Sequence, residues 1–406
     1  MRARWLILFG SFLAYLFDAL EIATLSFAIP SIIEDFGITP FQAGLVATAT
    51  LIGMGVSGFV MGYVADNFGR KKALMLCMVI FIVLTVGVSM APNLPVLLGL
   101  RFLSGIGLGG VWGILSAYIV ESWPERTRGK AAAFVLAAYP IGGAVAAVAS
   151  GLFLPDWRLM FLVAGLSAVL PLLIVAFAFP ESAAWAEEKR RSSKTVSISE
   201  VFTPQLRRTT ILASLVSAMA FIAYYGASTW LPSYLATDRG MDPRAVSTFM
   251  TVLNLGMFVG YLVFGWIADR IGRRAALMLS FFGAGVLMPL YGVVTDNTLL
   301  LWLGPMYAFF MTFAGLFGSY LGELYPTRVR TTGAGLCFNI GRGVSAFAPM
   351  ALGGLASATS LSFGLVTSGL GFLVSGVLMI ALPKHAAEDP VVEAQQEALS
   401  EDVASR

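Results

Sequence analysis
Four ionisable residues stand inside long apolar runs of this 406-residue chain, and their types and spacing define the chemistry open to it. Asp18 and Glu21 are three residues apart, so on a helix they share one face. Two carboxylates that close in a low-dielectric medium resist joint ionisation, which suits groups that bind and release protons. Arg101 and Arg342 are the cations. A guanidinium takes a carboxylate in a planar, bidentate manner, and Gly341 and Gly343 leave room around Arg342. A charge at bilayer depth is costly, so each of the four is a functional candidate.

Depth counted along the runs puts Glu21 level with Arg101, so an ion pair between them is expected; its bland reading is a purely structural buried pair. No acid of the second half stands at the depth of Arg342, because Asp269 and Glu323 fall at the ends of their runs. Arg342 therefore reads as a clamp for a substrate carboxylate. The alternative is an arginine satisfied by Asp18 or by helix-end carbonyls.

These residues need elements to hold them. The chain is 58% hydrophobic and only 12% charged, roughly half the charge of a soluble protein. A spanning helix needs about 20 apolar residues. Such runs occur at 5–29, 41–65, 73–91, 95–120, 131–153, 159–180, 209–236, 245–268, 275–294, 298–323, 332–354 and 360–382. The expectation is an all-α membrane protein with twelve transmembrane helices. The first run is long enough to span and has no small-residue cleavage site, so it is read as a span and not a leader.

Composition also excludes. Cys77 and Cys337 fall in or beside apolar runs, so no structural disulfide is expected. His385 lies in the polar tail, which removes histidine as a proton carrier or metal ligand within the membrane. No metal, no cofactor, no enzyme chemistry and no nucleic-acid partner are expected; the partners are the bilayer, a small organic anion and the proton, and the chain is expected to be a monomer.

The domains follow from the runs: a first six-helix bundle over 1–180, a linker over 181–208, a second bundle over 209–382 and a tail over 383–406. With both termini on one side, that side holds Arg70, Lys71, Lys72, Arg126, Arg128, Lys130, the basic linker, Arg270, Arg273, Arg274, Arg328 and Arg330. The opposite side holds Arg158, Arg239 and Arg244. The positive-inside rule then puts both termini in the cytoplasm, with the chain in the inner (plasma) membrane.

The halves repeat. Gly62, Asp66, Gly69, Arg70 and Lys71 return 203 residues later as Gly265, Asp269, Gly272, Arg273 and Arg274. Glu121, Pro124, Arg126 and Arg128 return 202 residues later as Glu323, Pro326, Arg328 and Arg330. Two echoes at nearly one offset, on one side of the membrane, indicate two pseudo-symmetric six-helix bundles.

The repeated loop resembles the signature between helices 2 and 3 of the major facilitator superfamily, with its echo between helices 8 and 9. The stretch from Arg101 through Gly105, Gly107, Gly109 and Gly110 resembles that superfamily's helix-4 signature. The resemblance covers the whole chain and implies the major facilitator fold and alternating access about a midplane site. It implies that Asp66, Gly69, Arg70, Asp269, Gly272 and Arg273 serve gating, with the arginines exchanging acidic or carbonyl partners. It also implies that Glu21, facing the arginine that opens the helix-4 signature, couples protons together with Asp18 and Arg101. Helices 1, 4, 7 and 10 would line the cavity, flanked by 2, 5, 8 and 11. Besides Arg342, the lining candidates are Trp112, Tyr139, Tyr224, Tyr225, Asn254, Tyr320 and Asn339, with Ser116 and Trp230 beside them. Tyr224 and Tyr225 are adjacent, so only one of them is expected to face substrate.

Phe17 to Glu21 also resembles the helix-1 acidic motif of aromatic acid/proton symporters, with Ala19 and Glu21 where that group has Gly and Asp. Asp18–Pro30 with Arg101–Gly110 is similar to bacterial nicotinate carriers. Gln42 is the only glutamine before the linker, which disfavours a sugar. The expected activity is proton-coupled import of a small aromatic or short-chain monocarboxylate. The alternatives are a proton-driven exporter, whose helix-5 signature Tyr139, Pro140, Gly142 and Gly143 match only in part, and a transporter-like nutrient sensor.

Overall fold
The computed structural model describes residues 2–182, 198–326 and 329–383. Arg328, most of the basic linker and His385 lie outside the described residues. By length and composition, eleven helices among the described residues can cross a membrane. The remaining span, the eleventh, is Arg330–Ser345 followed by Ala348–Ala358; it carries Asn339 and Arg342 and is interrupted between its two parts.

The first half runs Arg2–Phe36, Pro40–Phe68, Arg70–Ser89, Leu94–Ser122, then span 5 as Glu125–Leu136 with Ala138–Phe153, and span 6 as Trp157–Ser167 with Val169–Ala178. The second runs Arg207–Ser233, Pro243–Ile271, Arg273–Val293, then span 10 as Asn297–Phe310 with Phe313–Glu323, then span 11, and finally Leu361–Ile380. Three of the four interruptions have one cause. A proline ring clashes with the carbonyl four residues earlier. Pro140, Pro171 and Pro349 sit four residues after Leu136, Ser167 and Ser345, where the preceding segments end.

The ends of the spans differ by side. We call the side with the repeated basic loops the basic side and the other the far side. Every even-numbered span starts on the far side behind a side-chain cap: Thr39, Asn93, Asp156, Asp242, Asp296 and Ser360 each accept from a backbone N–H of the first turn. Such caps satisfy donors that would otherwise face lipid or water unpaired. On the basic side, spans 3 and 9 instead begin directly after Gly69 (φ 112°) and Gly272 (φ 86°). Both angles lie in the left-handed region open to glycine, which explains that residue at both repeats.

The basic loops are tied down in parallel. Arg70 pairs with Glu121 at 3.3 Å, and Arg273 pairs with Glu323. Arg274 donates to the carbonyls of Met379 and Ile380. Tyr118 and Tyr320 donate to the carbonyls of Pro180 and Pro383 at 3.1 and 2.9 Å. Asp269 is exposed, and the side chain of Asp66 is not described.

The two halves meet tightly on the far side. A Cβ on Gly44 of span 2 would run into the backbone of Pro349 and Met350 on span 11. One on Gly353 would meet Pro40 and the Trp230 ring, one on Gly143 would meet Asn254, and one on Gly151 would meet Ser247. Toward the basic side no such tight crossing recurs at Gly62, Gly265 or Gly335, where a Cβ would meet nothing within 4 Å. The molecule is closed on the far side and open toward the basic side.

This closure generates a prediction. Gly44→Trp is expected to hold the far side open, because overpacking by about 1–3 kcal/mol would fall on the closed state alone and shift the ratio of states by roughly five- to 150-fold. A cysteine placed at the cavity residue Ser26 should then react with an impermeant maleimide added from the far side much faster than it does without the tryptophan. Equal labelling rates would contradict the assignment of this contact.

Candidate functional site
Spans 2 and 4 cross at glycine. A Cβ on Gly53 would strike the Phe102 carbonyl, and one on Gly105 the Thr50 carbonyl. Small residues let helix backbones approach this closely. That approach brings the Thr50 side chain to Arg101, whose Nε donates to Thr50 Oγ1 at 3.0 Å, while the Thr50 hydroxyl donates to Val46 O at 3.1 Å. Arg101 Nη1 donates to Glu21 Oε1 on span 1. The same oxygen accepts the Thr85 hydroxyl of span 3 at 2.8 Å. The Arg101 guanidinium stands 5.5 Å from the centroid of the Phe161 ring on span 6.

This knot ties five spans of the first half together, and it is dry. Glu21 is 1% exposed and Arg101 0%. Glu21 Oε2 and Arg101 Nη2 are both buried without a hydrogen-bond partner. The expected Glu21–Arg101 pair is therefore present, with one acceptor and one donor to spare.

Arg101 forms part of the wall of a cavity between the halves. Its lining includes Ala23, Ser26 and Phe27 of span 1, Thr50 and Met54 of span 2, and Gly143 of span 5. From the second half come Ser228 and Thr229 of span 7, Met250, Asn254 and Met257 of span 8, and Tyr307 and Met311 of span 10. Tyr139, Tyr224 and Tyr225 also line it. Tyr139 and Tyr224 stand within electrostatic range of each other across the two halves. Among the lining residues Arg101 is the one with a charged side chain.

A second charged layer lies one turn nearer the basic side. Asp18 is 2% exposed, and its Oδ1 has no hydrogen-bond partner. It stands within electrostatic range of Glu21 and Arg342. Tyr225, Tyr15 and Tyr139 stand within electrostatic range of Arg342. Its guanidinium is 6.0 Å from the Phe338 centroid. It forms no ion pair with any described residue, Asp18 included. Arg342 does not line this cavity, although its neighbours Tyr139 and Tyr225 do.

Other candidates sort by position. Asn254 lines the cavity, with its Nδ2 donated to Met250 O at 2.8 Å. Trp112 packs on Tyr15 at 4.9 Å between centroids. Asn339 is exposed and lies opposite Gly58 where the halves part. Two expectations need correction. Tyr320 is fully buried with its hydroxyl on Pro383 O, so it braces the basic end of the second half and does not reach the cavity. Tyr224 and Tyr225 both line the cavity, because it wraps around span 7. Trp230 is likewise structural, donating to Pro349 O at 2.8 Å.

Sequence reasoning missed Thr50, Thr85, Tyr15 and Tyr261, the last standing within electrostatic range of Tyr15, Tyr139 and Tyr224. The repeat offset carried one unused signal: Tyr139 and Arg342 are 203 residues apart and so occupy equivalent places in the two halves.

Known proteins resemble this chain over most of its length. The family model described as Major Facilitator Superfamily matches residues 8–349 and 233–402. A cis,cis-muconate transport protein of Acinetobacter baylyi is 30% identical, with 94% of each chain covered. A sialic acid transporter of Escherichia coli is 32% identical over 82% of this chain and 83% of its own. Among solved structures, a D-xylose-proton symporter superposes with a TM-score of 0.79 at 18% identity, covering 94% of this chain and 98% of its own.

The knot itself is open to test. Glu21→Ala leaves Arg101 buried and unpaired, which is expected to cost about 3–5 kcal/mol. Melting of the purified protein in detergent should fall sharply, and Glu21→Ala combined with Arg101→Ala should recover part of the loss. A double variant no better than the single would show that the two side chains are not coupled.

Proposed function
The chain belongs to the major facilitator superfamily, and from that premise we propose that it is a symporter that carries a small organic acid inward together with protons by alternating access. The observation that carries the reading is Arg342, held among tyrosines at mid-membrane with no acidic partner of its own. A guanidinium in that setting calls for an anion, and a carboxylate matches its fork. The relatives whose names denote acids, cis,cis-muconate and sialic acid, support the same class of cargo.

Proton coupling rests on the Glu21–Arg101 pair. Glu21 Oε2 carries no hydrogen bond, so a proton can settle there without displacing the Thr85 contact on Oε1. Neutral Glu21 no longer holds Arg101, and the wall of the cavity changes character at one stroke. Tyr139 and Tyr224 face each other across the halves in the cavity wall and act as the thin gate through which cargo leaves.

The sidedness follows from charge. The positive-inside rule places the basic loops and both termini in the cytoplasm of a cell whose inner (plasma) membrane holds the protein. The closed far side then faces outward, and the described conformation is inward-facing. The gating residues Gly69, Arg70, Gly272 and Arg273 keep the loops of each half rigid while the halves rock; the pairs Arg70–Glu121 and Arg273–Glu323 are the contacts that must hold or release.

Two variants test the reading in proteoliposomes with an imposed pH gradient. Glu21→Gln is expected to abolish acid-driven accumulation while counterflow exchange persists; accumulation at the unaltered rate would sink the coupling assignment. Arg342→Ala should weaken carboxylate binding by at least about tenfold, the loss of one charge-assisted contact of roughly 1.5–3 kcal/mol. Unchanged affinity for every carboxylate bound by the unaltered protein would remove the clamp.

A further inference from the structure
The central charges come in two layers, each with one acid and one arginine. Glu21 and Arg101 form the layer nearer the far side, and Asp18 and Arg342 the layer nearer the basic side. The acids are three residues apart on one helix, which spaces the layers by about 4.5 Å along the span. With both acids ionised the set is neutral, as a dry interior requires.

Each layer also has an unused polar atom. In the first layer Arg101 Nη2 is fully buried, has no partner and belongs to a residue of the cavity wall. In the second, Arg342 makes no ion pair and Asp18 Oδ1 has no hydrogen bond. Protonating Glu21 releases Arg101, while Arg342 is already without an ion pair, so protonating both acids leaves two guanidinium charges uncompensated, with Tyr139 and Tyr225 beside both. A cargo with a single carboxylate would leave the second cation uncompensated in the interior. A cargo with two carboxylates would restore neutrality.

We propose that Arg101 is a second carboxylate-binding residue, and that the carrier selects short dicarboxylates, with one carboxylate on Arg101 and the other on Arg342. This rests on the reading of the chain as a proton-coupled acid carrier. The charges balance. The empty site holds two carboxylates and two guanidinium ions. The loaded site holds two protonated acids, two guanidinium ions and the dianion. Both sum to zero, so the cycle moves two protons and one dianion without net charge. Tyr139 and Tyr225, which line the cavity with Arg101 and neighbour Arg342, would flank the spacer that joins the two carboxylates.

The test uses the purified whole chain with cis,cis-muconate and its monomethyl ester as probes, at a pH low enough to favour the protonated acids. Isothermal titration is expected to show the dianion binding at least about tenfold tighter than the ester, one ion contact's worth. That preference should collapse in Arg101→Lys, whose point charge lacks the fork. If Arg101→Lys does not fold, the paired Glu21→Gln/Arg101→Gln variant removes both charges together and should lose the preference in the same way. Equal binding of dianion and ester, a preference that survives loss of Arg101, or no binding of the dianion overturns the proposal. Ester binding that depends on Arg342 while the dianion gains nothing would overturn it and leave the acid-carrier reading standing. Loss of all carboxylate binding, short monocarboxylates included, would take both down.

Discussion
A guanidinium with no water around it must be neutralised, and the fold is organised about that demand at Arg101. Its neutraliser is Glu21, and the close approach of spans 2 and 4 at Gly53 and Gly105 adds Thr50, 3.0 Å from Arg101 Nε. Thr85 and Phe161 complete the enclosure from spans 3 and 6. Breaking a buried ion pair from one side is far more damaging than never having built it. The packing of the first half thereby depends on this pair, which is why its protonation is the switch we propose.

The second half answers a different demand. Where the first half has Tyr139, its repeat has Arg342, and the environment there is phenolic instead of acidic. Duplication kept the bracing of both halves alike: glycine-led loops, arginine–glutamate pairs and tyrosines donated to a proline carbonyl. It let the charged centres diverge. The rigid parts are shared and the chemical parts are not, which is the division expected of two bodies that rock about a cavity without deforming.

Much of this was legible in the sequence. Span number, the repeat and the Glu21–Arg101 pair all follow from depth counted along apolar runs, because a helix converts residue number into height. Height is only one coordinate. Which side chains meet across the halves depends on rotation and on the current state of the carrier, so Tyr15 and Tyr261 went unnoticed and both Tyr224 and Tyr225 turned out to face the cavity. Tyr320 was misplaced for a reason that the sequence did contain: it repeats Tyr118, and both belong to the bracing at the basic end. The three proline-caused interruptions were visible as residues, yet their place in the path was not, since a proline four residues past a break reads as an ordinary apolar position in a hydropathy count.

The central claim is that carboxylate binding and protonation of Glu21 are one event. The most direct measurement is the proton count on binding: purified protein in a weakly buffered solution with a pH indicator, titrated with a carboxylate that raises its melting temperature. The account predicts proton uptake on binding in the unaltered protein, and uptake reduced by one proton in Glu21→Gln with binding retained. Binding without proton uptake, or the same uptake with and without the Glu21 carboxyl, would contradict it.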